Sequence, residues 1–173
     1  MTLSIHETAV PVFVALLTNM RAWLDKAALE KDESTLIDAR LAEDMRPLPA
    51  QFQMASDSAK NCVARLAGIE APAMADTEAS FAELKERCDR TIAFIQRVDP
   101  AALEAGADRE VSIRFPNGMG YTWTGRDYLT SFALPNFFFH ATTAYAILRA
   151  AGVSLGKPDF LQHLGPPSLM PEA

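Results

Sequence analysis

Two pairs of polar residues interrupt helical faces that are otherwise apolar. Asn136 and His140 stand four apart in the stripe Leu129, Phe132, Asn136, Phe139/His140, Thr143 and Ile147, which puts both on one side of a helix. Gln53 and Asp57 form a second such pair beside the stripe Phe52, Ala55, Ala59, Cys62 and Leu66. Polar groups directed into a helical core need partners, because an unsatisfied buried amide or imidazole costs about 1–3 kcal/mol. Two arrangements meet that need. In one, His140 is a core histidine whose ring donates to Asp57 or accepts from the Asn136 or Gln53 amide. In the other, Gln53, Asp57, Asn136 and His140 line a pocket across two helices that takes a small polar ligand. A metal there would have His140 and Asp57 as donors, a thin basis for zinc or nickel because neutral amides are poor ligands beside imidazole or carboxylate.

The remaining candidates are fewer. Asp44 precedes the Pro47/Pro49 elbow and can cap the following helix or pair with Arg46, or it is a solvated loop charge. Tyr121, Trp123 and Tyr128 either wall a pocket mouth or pack as ordinary aromatics, and Tyr145 lies off the Asn136/His140 face. His6 and His163 fall near the ends of the chain, where exposure is the default. Neither CxxC nor HxxxH occurs, and there is no Walker, Rossmann, GxSxG or HExxH pattern. Cys62 and Cys88 sit on apolar faces, where cysteine acts as a small hydrophobe.

These side chains need a scaffold, and the 173 residues suffice for one domain. A first helix spans about Ser4 to Lys31 on the stripe Phe13, Leu16, Leu17, Met20, Leu24 and Ala27, with Pro11 kinking its first turns or marking its start. Leu36 to Met45 reads as one or two helical turns. The second long helix runs from Leu48 to Ala67 and stops at Gly68. The third, capped by Asp76 or Thr77, carries Phe81, Leu84, Cys88, Ile92, Ile95 and Val98 and ends at Pro100, with one further turn to Ala105.

The period then changes to two. Val111, Ile113 and Phe115 alternate with polar residues, as do Tyr121 and Trp123, around Asn117-Gly118, which predicts a hairpin over 110–124. So small a hairpin must lean its aromatics on the helices. The last helix, with Thr124 and Asp127 as a capping box, runs from Gly125 to Ala151. The expectation is an all-α four-helix bundle over 1–152 with the hairpin inserted before the last helix, and an extended C-terminal tail over 153–173.

Leu134 to Arg149 (LPNFFFHATTAYAILR) and Gly152 to Phe160 (GVSLGKPDF) resemble the signature of an uncharacterised bacterial family in the DinB-like helical-bundle superfamily. Asp44 to Leu48 (DMRPL), Gln51 to Ala55 (QFQMA) and Val10 to Phe13 (VPVF) are similar to its other typical segments. The resemblance implies a DinB-like bundle that is often dimeric. Many members hold a divalent metal with one histidine on the second helix and an HxxxH pair on the last, and some of these are thiol transferases or hydrolases. Carried over by position, those ligands fall on Gln53, Asn136 and His140, so amides replace two of three imidazoles.

Three functions follow as expectations. The first is a bundle without a bound transition metal or other cofactor whose pocket takes a small polar ligand or ordered water. The second is a metal-dependent thiol transferase or hydrolase using His140, Asp57 and Asp44. The third is a structural homodimer, with Val12 and Trp23 supplying part of the interface. A formal charge of −6 argues against a nucleic-acid partner. Ala9 to Leu17 is far short of the roughly 20 apolar residues of a membrane span and is preceded by His6 and Glu7, not by a basic leader. The expected location is the reducing cytoplasm.

Overall fold

The computed structural model describes residues 4–168. Four long helices make the frame: α1 (Ile5–Glu30), α3 (Leu48–Ala67), α4 (Phe81–Ile95) and α7 (Leu134–Ala150), with short α2 (Glu33–Ile37), α5 (Pro100–Glu104), α6 (Gly125–Tyr128) and α8 (Lys157–Phe160) between and after them. Each frame helix buries its own apolar stripe, with Phe13 and Leu17 of α1, Phe52 and Ala59 of α3, Leu84 and Cys88 of α4, and Phe137 and Ala141 of α7 sealed from solvent. Phe13 and Phe137 meet edge to face at 4.8 Å, joining the first and last helices at mid-bundle.

Helix α1 begins with a capping box in which Ser4 Oγ accepts from the Glu7 amide and Glu7 returns a carboxylate to the Ser4 amide. It continues through Pro11, which is exposed and does not mark its start. Helix α3 spans the residues expected of it and ends at Gly68, held at φ +70°. Helix α4 is capped not by Asp76 or Thr77 but by Ser80, whose Oγ accepts from the Glu83 amide. The reason is Arg87: it pairs with Asp76 and Glu78 and draws the chain out extended as far as Ser80. The turns expected over Leu36 to Met45 come earlier, at Glu33–Ile37.

Strands β1 (Glu110–Arg114) and β2 (Gly120–Thr124) pair antiparallel with Ile113 opposite Tyr121 and Val111 opposite Trp123. Trp123 leans on Tyr128 and Phe132, with ring centroids 5.8 and 5.4 Å away, while Tyr121 stays exposed against Trp123. The hairpin reaches the bundle through a place where only glycine fits. A Cβ on Gly106 would lie 1.9 Å from the Leu66 carbonyl oxygen of α3, and one on Gly125 would lie 2.0 Å from the Gly106 carbonyl. Backbone must move to admit a methyl there, so Gly106→Ala is expected to cost about 1–3 kcal/mol in urea unfolding.

The last helix does not run unbroken from Gly125. Between α6 and α7, Leu129–Ala133 forms a π turn in which the Leu134 amide bonds the Leu129 carbonyl, five residues back. Pro135 follows at once and has no N–H for the ordinary ladder. The wider turn shifts the register by about one residue. Phe137 therefore enters the core where the continuous stripe had put Asn136, and Phe139 turns outward.

Residues 153–168 lie along α1 and include a helical turn, not only extended chain. Val153 and Leu155 are buried, Phe160 stacks on Trp23 at 5.4 Å, and Trp23 Nε1 donates to the Asp159 carbonyl at 3.0 Å. Trp23 is thereby 1% exposed and unable to serve the interface expected of it. The part of the expected tail over 169–173 lies outside the described residues. No helix among those described is long and apolar enough to cross a membrane.

Candidate functional site

Helices α3 and α7 run antiparallel, and a cleft of about 250 Å³ opens between them, lined by Met54, Asp57, Ser58, Asn61, Arg65, Tyr128, Phe132, Ala133, Asn136 and His140. Three contacts set the pairing along its length: His140 with Gln51, Asn136 with Ser58, and Tyr128 with Arg65. The π turn forms the far wall, since Phe132 and Ala133 belong to it.

His140 is the best-defined member. Gln51 is 2% exposed and its Nε2 donates to the Arg46 carbonyl at 3.0 Å, which leaves its Oε1 facing His140 Nδ1 at 3.0 Å. An amide oxygen only accepts, so Nδ1 carries the proton and Nε2 is the ring's basic nitrogen. Nε2 has no hydrogen-bond partner among the described residues. Burial holds the imidazole below its ordinary pKa, so it is neutral at pH 7.

That has a measurable consequence. The unfolded chain takes up a proton near the ordinary value of about 6.5, and the folded chain only lower. Proton uptake therefore favours unfolding as pH falls through that range, and stability is regained as pH rises above it. The melting-temperature advantage of wild type over His140→Gln should shrink between pH 7.5 and 5, as read by thermal melts across pH.

Asn136 Nδ2 donates to Ser58 Oγ at 2.6 Å, leaving its Oδ1 for the cleft. Arg65 NH1 donates to Tyr128 Oη at 2.9 Å, with the guanidinium 5.7 Å from the Tyr128 ring centre. Burial, with a smaller push from Cys62, raises the Tyr128 phenol to about 12 against the opposing pull of Arg65. The phenol keeps its proton as a donor. Asp57 lines the cleft on its other edge, with Oδ1 taken by Lys60 Nζ and Arg87 NH2, both at 2.9 Å.

The structure thus brings together three of the four residues singled out from the sequence, Asp57, Asn136 and His140, and removes the fourth. Gln53 faces the connection ahead of α4, where its Nε2 donates to Glu78 Oε2 at 3.0 Å, and Gln51 takes the position beside His140. At about 100° per residue, positions two apart on a helix point to nearly opposite sides. Gln51, Met54, Ser58, Asn61 and Arg65 form one continuous face, a polar ladder beside the apolar stripe that could have been read from spacing alone. Asp44 is exposed and neither caps α3, whose N-cap is Pro47, nor pairs with Arg46. Tyr128 does line the cleft, whereas Tyr145 packs on Trp23 and Phe160. Cys62 and Cys88 are free, buried thiols pushed up to about 12 by desolvation, which makes them inert as nucleophiles.

A four-helix frame with an antiparallel α3–α7 cleft and a hairpin ahead of the last helix defines a DinB-like bundle. A crystal structure of a DinB family member protein from Shewanella denitrificans is similar to this chain, at a TM-score of 0.81 and 36% identity over 97% of this chain and 94% of that one. Within that class the chain belongs to a family described as a domain of unknown function, DUF1993, whose pattern matches residues 5–161. No curated protein matches it.

The donor set does not fit the metal that the resemblance implies. One imidazole is present, the Gln51 oxygen is committed to it, and one oxygen of Asp57 already carries two cations. Among the described residues no group of three or more His, Cys, Asp or Glu side chains is placed to hold an ion.

Proposed function

We propose that this cytoplasmic protein binds a small polar ligand in the α3–α7 cleft and does so without a transition metal. The observation that carries the reading is the geometry of His140: oriented by Gln51, with Nε2 unpartnered among the described residues at a cleft that Asp57, Asn136 and Arg65 also line, and with burial favouring its neutral form. Fixing one ring nitrogen to leave the other as an acceptor is what an oriented binding histidine requires. The volume lies below the roughly 300 Å³ at which drug-sized pockets begin, so the ligand is small.

The alternative, a metal-dependent thiol transferase or hydrolase, needs a bound ion at His140 and Asp57. The two separate in one experiment. Protein purified without added metal or chelator is expected to contain no stoichiometric zinc or nickel. It should gain no melting temperature from added zinc, nickel or manganese, but should gain it from a small polar solute that binds the native state. Stoichiometric metal that disappears in His140→Ala would overturn the proposal.

A homodimer is favoured by a separate observation. Phe138 and Phe139 of α7 lie exposed beside Leu41, in a groove whose lining carries no charge. Two copies of a chain of charge −6 can meet there without bringing like charges together. Light scattering on Phe139→Glu tests it, with a shift from dimer to monomer expected.

A further inference from the structure

The cleft is polarised along its length, and the polarity specifies a ligand. At the α6 end stand Arg65, the protonated Tyr128 phenol and Asn61; at the other stand His140 Nε2, Asn136 Oδ1 and the second oxygen of Asp57. Arg65 and the Tyr128 phenol donate, His140 Nε2, Asn136 Oδ1 and the Asp57 oxygen accept, and the Asn61 amide can do either. Asn136 is held by Ser58, seven residues from Arg65 on α3 and about 10 Å along the axis, with His140 beyond it beside Gln51. Helical side chains lean toward the N-terminus, so Arg65 reaches back over Asn61 and shortens that span.

The charges at the two ends are not alike. Among the described residues no carboxylate lies within ion-pair distance of Arg65, whose hydrogen bond goes to a phenol. Asp57, in contrast, is already offset by Lys60 and Arg87. A half-buried guanidinium facing a cleft with only neutral donors beside it is suited to an anion, best a carboxylate that can meet its fork. Among the described residues the opposite end offers acceptors and no free cation, and suits a hydrogen-bond donor.

Resting on the binding function proposed above, we infer that the ligand is a small monocarboxylate with a hydroxyl or amino donor at its other end. The carboxylate pairs with Arg65 and accepts from Tyr128. The donor group bonds to His140 Nε2 and Asn136 Oδ1.

The test is an NMR titration of isotope-labelled full-length protein with 2-, 3- and 4-hydroxybutyrate, 4-aminobutyrate, butyrate, 1,4-butanediol and 4-amino-1-butanol. One hydroxy or amino acid is expected to bind most tightly, butyrate more weakly and the diol weakest, with shifts at His140, Asn136 and the Arg65 side chain. Arg65→Met should raise Kd about tenfold or more for every acid and abolish the order of acid over diol, while Arg65→Lys keeps part of it. His140→Ala should erase the advantage of the hydroxy acids over butyrate. The inference fails if the diol or the amino alcohol binds as well as the acids, or if Arg65→Met leaves acid binding unchanged. Binding by neutral or cationic probes alone would leave the binding function standing and remove this assignment. If no probe shifts cleft resonances, both fall.

Discussion

Arg87→Met is expected to lower the unfolding free energy by about 3–5 kcal/mol, the range for breaking a buried ion pair from one side. Arg87 is 1% exposed and ties three segments together. NH1 donates to Glu78 Oε1 at 2.8 Å and to the Ala75 carbonyl at 3.0 Å; NH2 meets Asp57 Oδ1 at 2.9 Å and Asp76 Oδ1 at 3.0 Å. The cost does not spread evenly. The Asp76 side chain is 59% exposed and regains water when the guanidinium goes, whereas that of Glu78 is 12% exposed and is left charged in a dry place with only Gln53 for company. Methionine keeps most of the volume, so the loss is electrostatic. For a chain of this size the melting temperature should fall by roughly 10 °C. Adding Glu78→Gln to Arg87→Met should recover part of the loss, because it removes the stranded charge. Full additivity of the two variants would show that Glu78 and Arg87 are not energetically coupled.

The same cluster sets an acid limb. Burial raises the Glu78 carboxyl, but hydrogen bonds from Arg87 and Gln53 outweigh it and hold the group below its ordinary value. A depressed carboxylate stabilises the fold above its unfolded pKa and loses that contribution as pH falls through the folded one. Wild type should therefore show a steeper stability loss below about pH 4.5 than Arg87→Met.

Apolar period carried most of the fold, because it is set by local sequence and the core rewards it directly. Helix α3 and the Asn117-Gly118 hairpin stand where period and turn chemistry place them. The failures share a different cause. The cap of α4 moved to Ser80 because Arg87, seven residues further on, captures Asp76 and Glu78; no local capping preference encodes that pull. The phase of α7 slipped because a π turn precedes Pro135, and a stripe counted at 3.6 residues per turn runs through such a turn unaware. Part of the cleft is legible in Asn136, His140 and Asp57, which interrupt apolar stripes. Gln51 behind His140 and Arg65 at the far end are not, because Gln51 and Gln53 share a helix but not a face and a basic residue in a last turn reads as ordinary surface.

Trp23→Ala should cost about 3–5 kcal/mol, as large-to-small changes at buried aromatics do, and it should act first on the C-terminal segment. The indole holds that segment in three ways. It stacks on Phe160 at an interplanar angle of 25°, meets Tyr145 edge-on at 5.7 Å, and donates its N–H to the Asp159 carbonyl. Polar ties flank it on the same helix: Lys26 Nζ to the Ser154 carbonyl at 2.7 Å and to Asp159 at 3.0 Å, Glu30 to the Ser154 amide at 2.7 Å, and Asn19 Nδ2 to the Phe160 carbonyl at 2.8 Å. The Lys26 and Glu30 ties are partly exposed and contribute little each, and the buried Asn19 amide adds one hydrogen bond of about 1 kcal/mol, so the buried ring supplies most of the attachment. Removing it should release residues 153–168 before the bundle melts, with chymotrypsin cutting after Phe160 at denaturant concentrations where wild type resists. Trp23→Phe keeps the stack and loses only the hydrogen bond, and should cost about 1 kcal/mol. Equal losses in the two variants would place the energy in the hydrogen bond and refute the packing account. An alanine variant that melts in one step with its segment still protected would make the tail part of the bundle's own cooperative unit.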